Sequence, residues 1–399
     1  GGVGSGEAGW SSRMEAGIVA ARRRVTGGCQ IVMLQCNNAR MANRKPPILR
    51  IDLALQGGGS HGAFTWGVLD RLLEDEGLEI AGVSGTSAGA MNAVALAAGL
   101  MEGGREGARA ALRRFWTRVG ELSPFGSVAA APVAPWLDPA SAWAAPWLAP
   151  LRATQQWLGA QASPYQFNPL NLNPLRRILL DTVDFERVRG CTRTRLFIAA
   201  TRVRTGELRV FDQHELSADV VLASACLPLL FQAVDIDGEA YWDGGYAGNP
   251  SLLPLVIDSP ADDLLIVQIN PAERETLPMR ASDILDRINE VTFNASLLKE
   301  LRSLGLLKQL LAAEGWAARR PRNPVLRRVA RLRLHRVDGG EALAALGAGS
   351  KQRTDPAFLQ RLFEQGRGAA DGWLGAHRDA LGERGTFDPG TELGPPLAR

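Results

Sequence analysis

Apolar residues first organise at Leu49. Ile51-Asp52-Leu53-Ala54-Leu55 predicts a buried strand, a glycine cluster follows, and Phe64, Val68, Leu69, Leu72 and Leu73 then recur at helical spacing. A second apolar run, Ile80-Ala81-Gly82-Val83, meets Gly85-Thr86-Ser87-Ala88-Gly89 ahead of an Ala-rich helix over 90–98. The pattern is β-α-β-α, which implies parallel strands with both loops opening at strand C-termini. Downstream, Leu196-Phe197-Ile198-Ala199-Ala200 predicts a strand, Thr205-Gly206 a hairpin, and Asp219 to Cys226 a helix ended before Pro228. Val234-Asp235-Ile236 and Tyr241-Trp242 flank an Asp237-Gly238 turn, and Leu264 to Ile269 is a further buried strand. Residues 282–315 carry helical periodicity, Leu332 to Val337 alternates like a late strand, and Pro356 to Leu381 predicts a last helix.

Two stretches depart from this pattern. Residues 1–45 are rich in Gly and Arg without periodicity and read as a disordered or overextended N-terminal segment. In 124–163 six prolines break regular structure, Asp138 and Arg152 are the only charges, and Trp136, Trp143, Trp147 and Trp157 punctuate the run. Such an insert suits an interfacial lid, since indole sits well at headgroup level, or a cap packed on the core. Pro389 to Arg399 reads as a frayed tail.

Composition narrows the classes. With 46% hydrophobic and 22% charged residues among 399, the chain is globular. The 45 basic and 42 acidic residues leave a net charge of +3, too little for a chain-wide nucleic-acid footprint. Arg319, Arg320, Arg322, Arg327, Arg328, Arg331, Arg333 and Arg336 form an acid-free basic stretch, expected as a solvated face with anionic lipid as the alternative. Cys29, Cys36, Cys191 and Cys226 form no CxxC pair and no HExxH occurs, so reduced thiols and no metal are expected. No apolar run approaches the roughly 18 residues of a spanning helix.

Three motifs carry candidate chemistry. Ser87 is the centre of a G-x-S-x-G turn between strand and helix, where Gly85, Thr86, Ala88 and Gly89 leave room for a sharp elbow that lifts the hydroxyl out of the sheet. Gly57-Gly58-Gly59-Ser60-His61-Gly62 can crowd backbone N–H groups around a phosphate or an oxyanion. Its G-x-G-x-x-G spacing fits a dinucleotide fingerprint, but the second strand runs into Ser84-Gly85 instead of ending on a ribose-binding acid. A P-loop fails too, because Ala63-Phe64 stands where Lys-Ser/Thr is needed. Asp243, in Tyr241-Trp242-Asp243-Gly244-Gly245, can serve Ser87 as general base if the two side chains meet, or be an ordinary Asp-Gly turn. The order Ser87, Asp243, then His335 or His377 also suits a triad, although one histidine falls in a strand pattern and the other in an amphipathic helix.

Together the motifs resemble the patatin-like phospholipase family over roughly 48–270, with Ala223-Ser224-Ala225-Cys226-Leu227-Pro228 similar to the block that precedes the family's aspartate. The resemblance implies a three-layer α/β/α fold with a mainly parallel sheet: a core at 48–270 carrying the 124–163 insert, a C-terminal helical part at 271–385 packed on it, and a tail at 386–399. It implies a Ser87–Asp243 dyad, an oxyanion loop at Gly57, Gly58, Gly59, Ser60, His61 and Gly62, and an Asp-Gly-Gly motif completed by Gly244 and Gly245. A serine acyl hydrolase acting on lipid esters is expected, without cofactor or nucleic acid, cytoplasmic or peripheral to a membrane. The alternatives are a triad esterase or thioesterase and a non-catalytic lipid-binding protein. One position departs from the family, which usually has Lys or Arg where this chain has His61. His61 is therefore expected to titrate near neutral pH and to support the oxyanion only when protonated.

Overall fold

The computed structural model describes residue 1 and residues 48–121, 163–274, 277–313 and 322–393. The 1–45 segment, but for residue 1, and all but residue 163 of the 124–163 insert lie outside the described residues. Residues from Leu49 onward form one compact unit.

The unit is built on an eight-stranded sheet. Its strands are β1 (Leu49–Leu55), β2 (Leu78–Gly85), β3 (Arg195–Arg202), β4 (Leu208–Asp212), β5 (Val234–Ile236), β6 (Glu239–Asp243), β7 (Asp263–Gln268) and β8 (Arg333–Asp338). They lie in the order β5-β6-β3-β2-β1-β7-β8, with β4 paired to β3. The stretch β3-β2-β1-β7-β8 is parallel, and β4, β5 and β6 form antiparallel pairs at one side. The turn between β5 and β6 holds Asp237 and Gly238 both at positive φ, the backbone a tight hairpin requires.

Alternation along the strands explains the layers. In β1 Leu53 and Leu55 point to one face and Ala54 to the other; in β7 Leu265 and Val267 oppose Leu264 and Ile266. The first face is covered by helices α1 (Gly62–Leu72), α2 (Ala88–Glu121), α3 (Pro174–Thr182), α4 (Ala218–Ser224) and α8 (Pro356–His377). The second is covered by α5 (Leu253–Asp258), α6 (Ala281–Ala313) and α7 (Pro324–Arg331). This is an α/β/α arrangement around a mostly parallel sheet.

Several elements outrun their sequence signal. Helix α2 continues past residue 98, because beyond a break at Gly103 and Gly104 its buried stripe resumes through Ala108, Leu112, Phe115 and Val119. The chain after 270 does more than pack on the core: β8 joins the sheet edge, and Arg367 of α8 pairs with Asp70 of α1. Pro389–Glu392, read from sequence as tail, is a helical turn beside α6, anchored by buried Phe387 and by the Arg336–Glu392 pair.

The basic stretch is solvated at Arg322, Arg327 and Arg331, as expected, but not throughout. Arg319 and Arg320 lie outside the described residues, but Arg328 pairs with Asp262, Arg333 with Asp263 and Arg336 with Glu392. Acids distant in sequence consume charges that local inspection leaves free.

Candidate active site

The loops after β1 and β2 and the end of β6 meet at the carboxyl edge of the sheet, where open α/β sheets bind ligands. Gln56, at the end of β1, ties this edge together. Its Oε1 accepts from the N–H groups of Ile269 (2.9 Å) and Asn270 (2.8 Å), and its Nε2 donates to Asn294 Oδ1 on α6 (2.8 Å).

The glycine loop is held by two asparagines. Gly57 N–H donates to Asn249 Oδ1 (2.7 Å), and its carbonyl accepts from Asn270 Nδ2 (2.7 Å). A Cβ at position 57 would come within 2.7 Å of both Ser87 Cβ and Thr86 O, so only glycine lets this loop reach the serine. Gly59 adopts φ +59° with the Lys351 carbonyl against its α-carbon, closing the same option there. Among the described residues, the N–H groups of Gly58 and Gly59 donate to no protein acceptor.

Ser87 sits in the turn between β2 and α2 at φ 53°, a left-handed conformation rare for residues other than glycine. Around it, Ser87 N–H donates to Ser224 Oγ (2.9 Å) and Thr86 Oγ1 donates to the Gly248 carbonyl (2.7 Å). The side chain is 7% exposed.

Asp243 ends β6 and is 0% exposed. Its Oδ1 accepts from Gly245 N–H (2.7 Å), whereas Oδ2 has no hydrogen-bond partner. Burial pushes its pKa up to about 7; the Gly245 N–H, the Ser87 hydroxyl and the Lys351 charge pull the other way. Ser87 thus lies close enough to favour the ionised carboxylate, short of an aligned bond to Oδ2. A serine beside a buried carboxylate with one open oxygen can give up its proton to it as it attacks a carbonyl. Cys226 is no rival nucleophile, because burial and then Asp243 push its thiol up to about 12.

His61 departs from its expected role. It is 2% exposed, its Nε2 meets Ser350 Oγ at 2.7 Å and its Nδ1 is unpartnered. Burial, and then the charge of Lys351, push its pKa down to about 4, so it is neutral at neutral pH and brings no cation to the loop. The triad histidines are engaged elsewhere. His335, buried on β8, meets Asp263 Oδ1 with Nε2 and Thr386 Oγ1 with Nδ1, both at 3.0 Å, and the His377 ring lies tilted against Trp373, 5.8 Å between centroids.

Asn249, Asn270, Ser350 and Lys351 escaped the sequence analysis. Lys351 Nζ donates to Asn270 Oδ1 (2.7 Å) and lies 5.8 Å from the centroid of the Phe293 ring. Its scarcity was the available signal, since the chain has only four lysines. Among the described residues no group of three metal-ligating side chains occurs, and no helix is long and apolar enough to cross a membrane.

The patatin-like phospholipase family model matches residues 53–256, just over half of the chain. Among solved structures the chain is similar to VipD from Legionella pneumophila, at 16% identity over 83% of this chain and 67% of that one, with a TM-score of 0.37. It is also similar to the ExoU–SpcU complex of the Pseudomonas aeruginosa type III secretion system, at 15% identity over 84% and 76%, with a TM-score of 0.25. No curated protein matches it.

Proposed function

The chain belongs to the patatin-like phospholipase family, and from that premise we propose that it is a serine acyl hydrolase cleaving the carboxylic esters of lipids through Ser87 and Asp243. One observation carries the reading: a fully buried carboxylate, fixed through Oδ1, keeps Oδ2 open beside a serine held at positive φ. Ser87 Oγ attacks the acyl carbonyl while Asp243 takes its proton. The oxyanion of the tetrahedral intermediate accepts from the free N–H groups of Gly58 and Gly59. Collapse expels the alcohol, which regains the proton from Asp243 and leaves an acyl-serine. Water, deprotonated by the same carboxylate, then releases the fatty acid and restores the serine.

The substrates we propose are phospholipids and lysophospholipids, reached by peripheral contact with a lipid surface. Exposed Tyr165 and Phe167 on the helical turn Pro164–Phe167, and Leu170, Leu172 and Leu229 on neighbouring loops, support such contact. A triad through His335 is disfavoured because both of its ring nitrogens are already engaged.

The test is a fluorophosphonate probe together with a turnover panel of phospholipids, lysophospholipids, acylglycerols and acyl thioesters. Wild type is expected to label and to hydrolyse oxygen esters, and Ser87→Ala to do neither. Labelling of the mutant at the wild-type level would place the nucleophile elsewhere and reject Ser87, and an unreactive wild type would reject the hydrolase and favour a lipid-binding role.

A further inference from the structure

The site holds a charge that neither the family motif nor the proposed reaction accounts for. Glu290, the buried acid nearest in kind, is already bridged by Arg274 and Arg287. Among the described residues no carboxylate pairs directly with the Lys351 ammonium, although the side chain is partly buried. An ammonium removed from water with one amide oxygen as its acceptor is costly, so its place calls for an explanation beyond folding.

Its surroundings supply one. The Lys351 carbonyl lies against Gly59, its Nζ holds Asn270 Oδ1, and Asn270 in turn holds the Gly57 carbonyl. The ring under Nζ is that of Phe293, which crowds Gly245, the residue whose N–H fixes Asp243. One lysine thus touches the supports of both the glycine loop and the catalytic carboxylate. We propose that Lys351 is a positioning residue of the acyl-transfer site, delivered by the C-terminal segment to supply the positive charge that the glycine loop, with His61 in place of a cation, lacks.

The inference rests on the acyl-hydrolase reading. Lys351 acts on the oxyanion by turning the Gly57 peptide so that the next N–H groups face the serine, and on Asp243 by its field. The groups facing Lys351 are Glu290, Asp286, Arg274, Asp243 and His61. Those facing Asp243 are Ser87, Gly245 N–H and Lys351, with the neutral Cys226 and Tyr246 beside it. Lys351 is the charged group common to the surroundings of Asp243 and of His61, and Glu290 keeps its pairs with Arg274 and Arg287 when it is lost.

The test uses the full chain, a neutral short-chain ester beside an anionic phospholipid, and Ser87 labelling by the fluorophosphonate probe across pH. Lys351→Met is expected to lower kcat tenfold or more with KM nearly unchanged, and to move the acid limb of kcat/KM upward by about half a unit or more. Lys351→Arg should return the limb towards its wild-type position. If Lys351→Met does not melt cooperatively, Lys351→Gln carries the same readouts, since it removes the charge but retains an N–H donor. A folded, uncharged variant with wild-type rate and pH profile would overturn the proposal. So would a defect confined to KM for anionic phospholipids, which would make Lys351 a head-group reader. A wild-type chain that neither labels nor turns over would instead reject the acyl-hydrolase reading itself.

Discussion

Two aspartates at opposite ends of the sheet are buried alike and behave in opposite ways. Asp263, at the start of β7, is 2% exposed; Asp243, at the end of β6, is 0% exposed. Asp263 pairs with Arg333 (2.7 Å), meets His335 (3.0 Å) and accepts from Gly382 N–H, and despite its burial these partners hold its carboxyl well below the usual carboxylate range. Asp243 has one backbone donor and an open oxygen, and its pKa rises to about 7. Burial alone therefore does not set Asp243 apart; burial with one oxygen left open does, which is what the proposed general base requires.

Exchanging the two carboxylates for amides should break this comparison most forcefully. Asp243→Asn is expected to cost at least about 10²-fold in kcat, the scale of a general base, without lowering Tm. Asp263→Asn should instead cost about 3 kcal/mol of stability by orphaning Arg333, with activity per folded molecule near wild type. Kinetics paired with thermal melts decide it, and two variants with the same signature would erase the distinction.

The pH dependences should run in opposite senses. Asp243 has a folded pKa raised from 3.8 to about 7, so the folded state holds the extra proton and stability falls as pH rises between those values. In the same window kcat/KM should climb as the base ionises. Asp263 has a lowered folded pKa, so its contribution is complete above the unfolded value and is lost as pH falls below it. Melts of Asp243→Asn and Asp263→Asn against wild type separate the two slopes, the first between about pH 4 and pH 7 and the second below about pH 4.

Smaller effects are expected at the histidines. His335→Ala should lower Tm by a few degrees by taking one partner from Asp263, and His377→Ala less, with kcat near wild type in both. An inactive, folded His335→Ala would restore the triad. Least of all, His61→Gln should leave the pH profile above pH 6 unchanged, since His61 is already neutral there.

Much of this architecture is written locally. The apolar runs Ile51 to Leu55 and Leu264 to Ile269, and the elbow around Ser87, fix the strands and the turn to within a few residues. Asp243 is flagged by the glycines that follow it. What sequence hides is the partner from elsewhere: Asn249 and Asn270 on Gly57, Ser350 on His61, the acids that neutralise the arginines around 330. The expectation for His61 failed for the same reason. Titration near neutrality belongs to a solvated imidazole, and burial is a property of the assembled fold.

The bracing of the first loop by late residues has a consequence for when the protein can act. A nascent chain that has emerged as far as residue 270 already contains Ser87 and Asp243, but not β8, nor the segment whose Ser350 and Lys351 lean on His61 and Gly59. At synthesis rates of about 5–20 residues per second, the interval before position 351 appears is several seconds. During that time the glycine loop lacks its outer wall, and under the proposed reaction a polypeptide still on the ribosome would hydrolyse esters poorly.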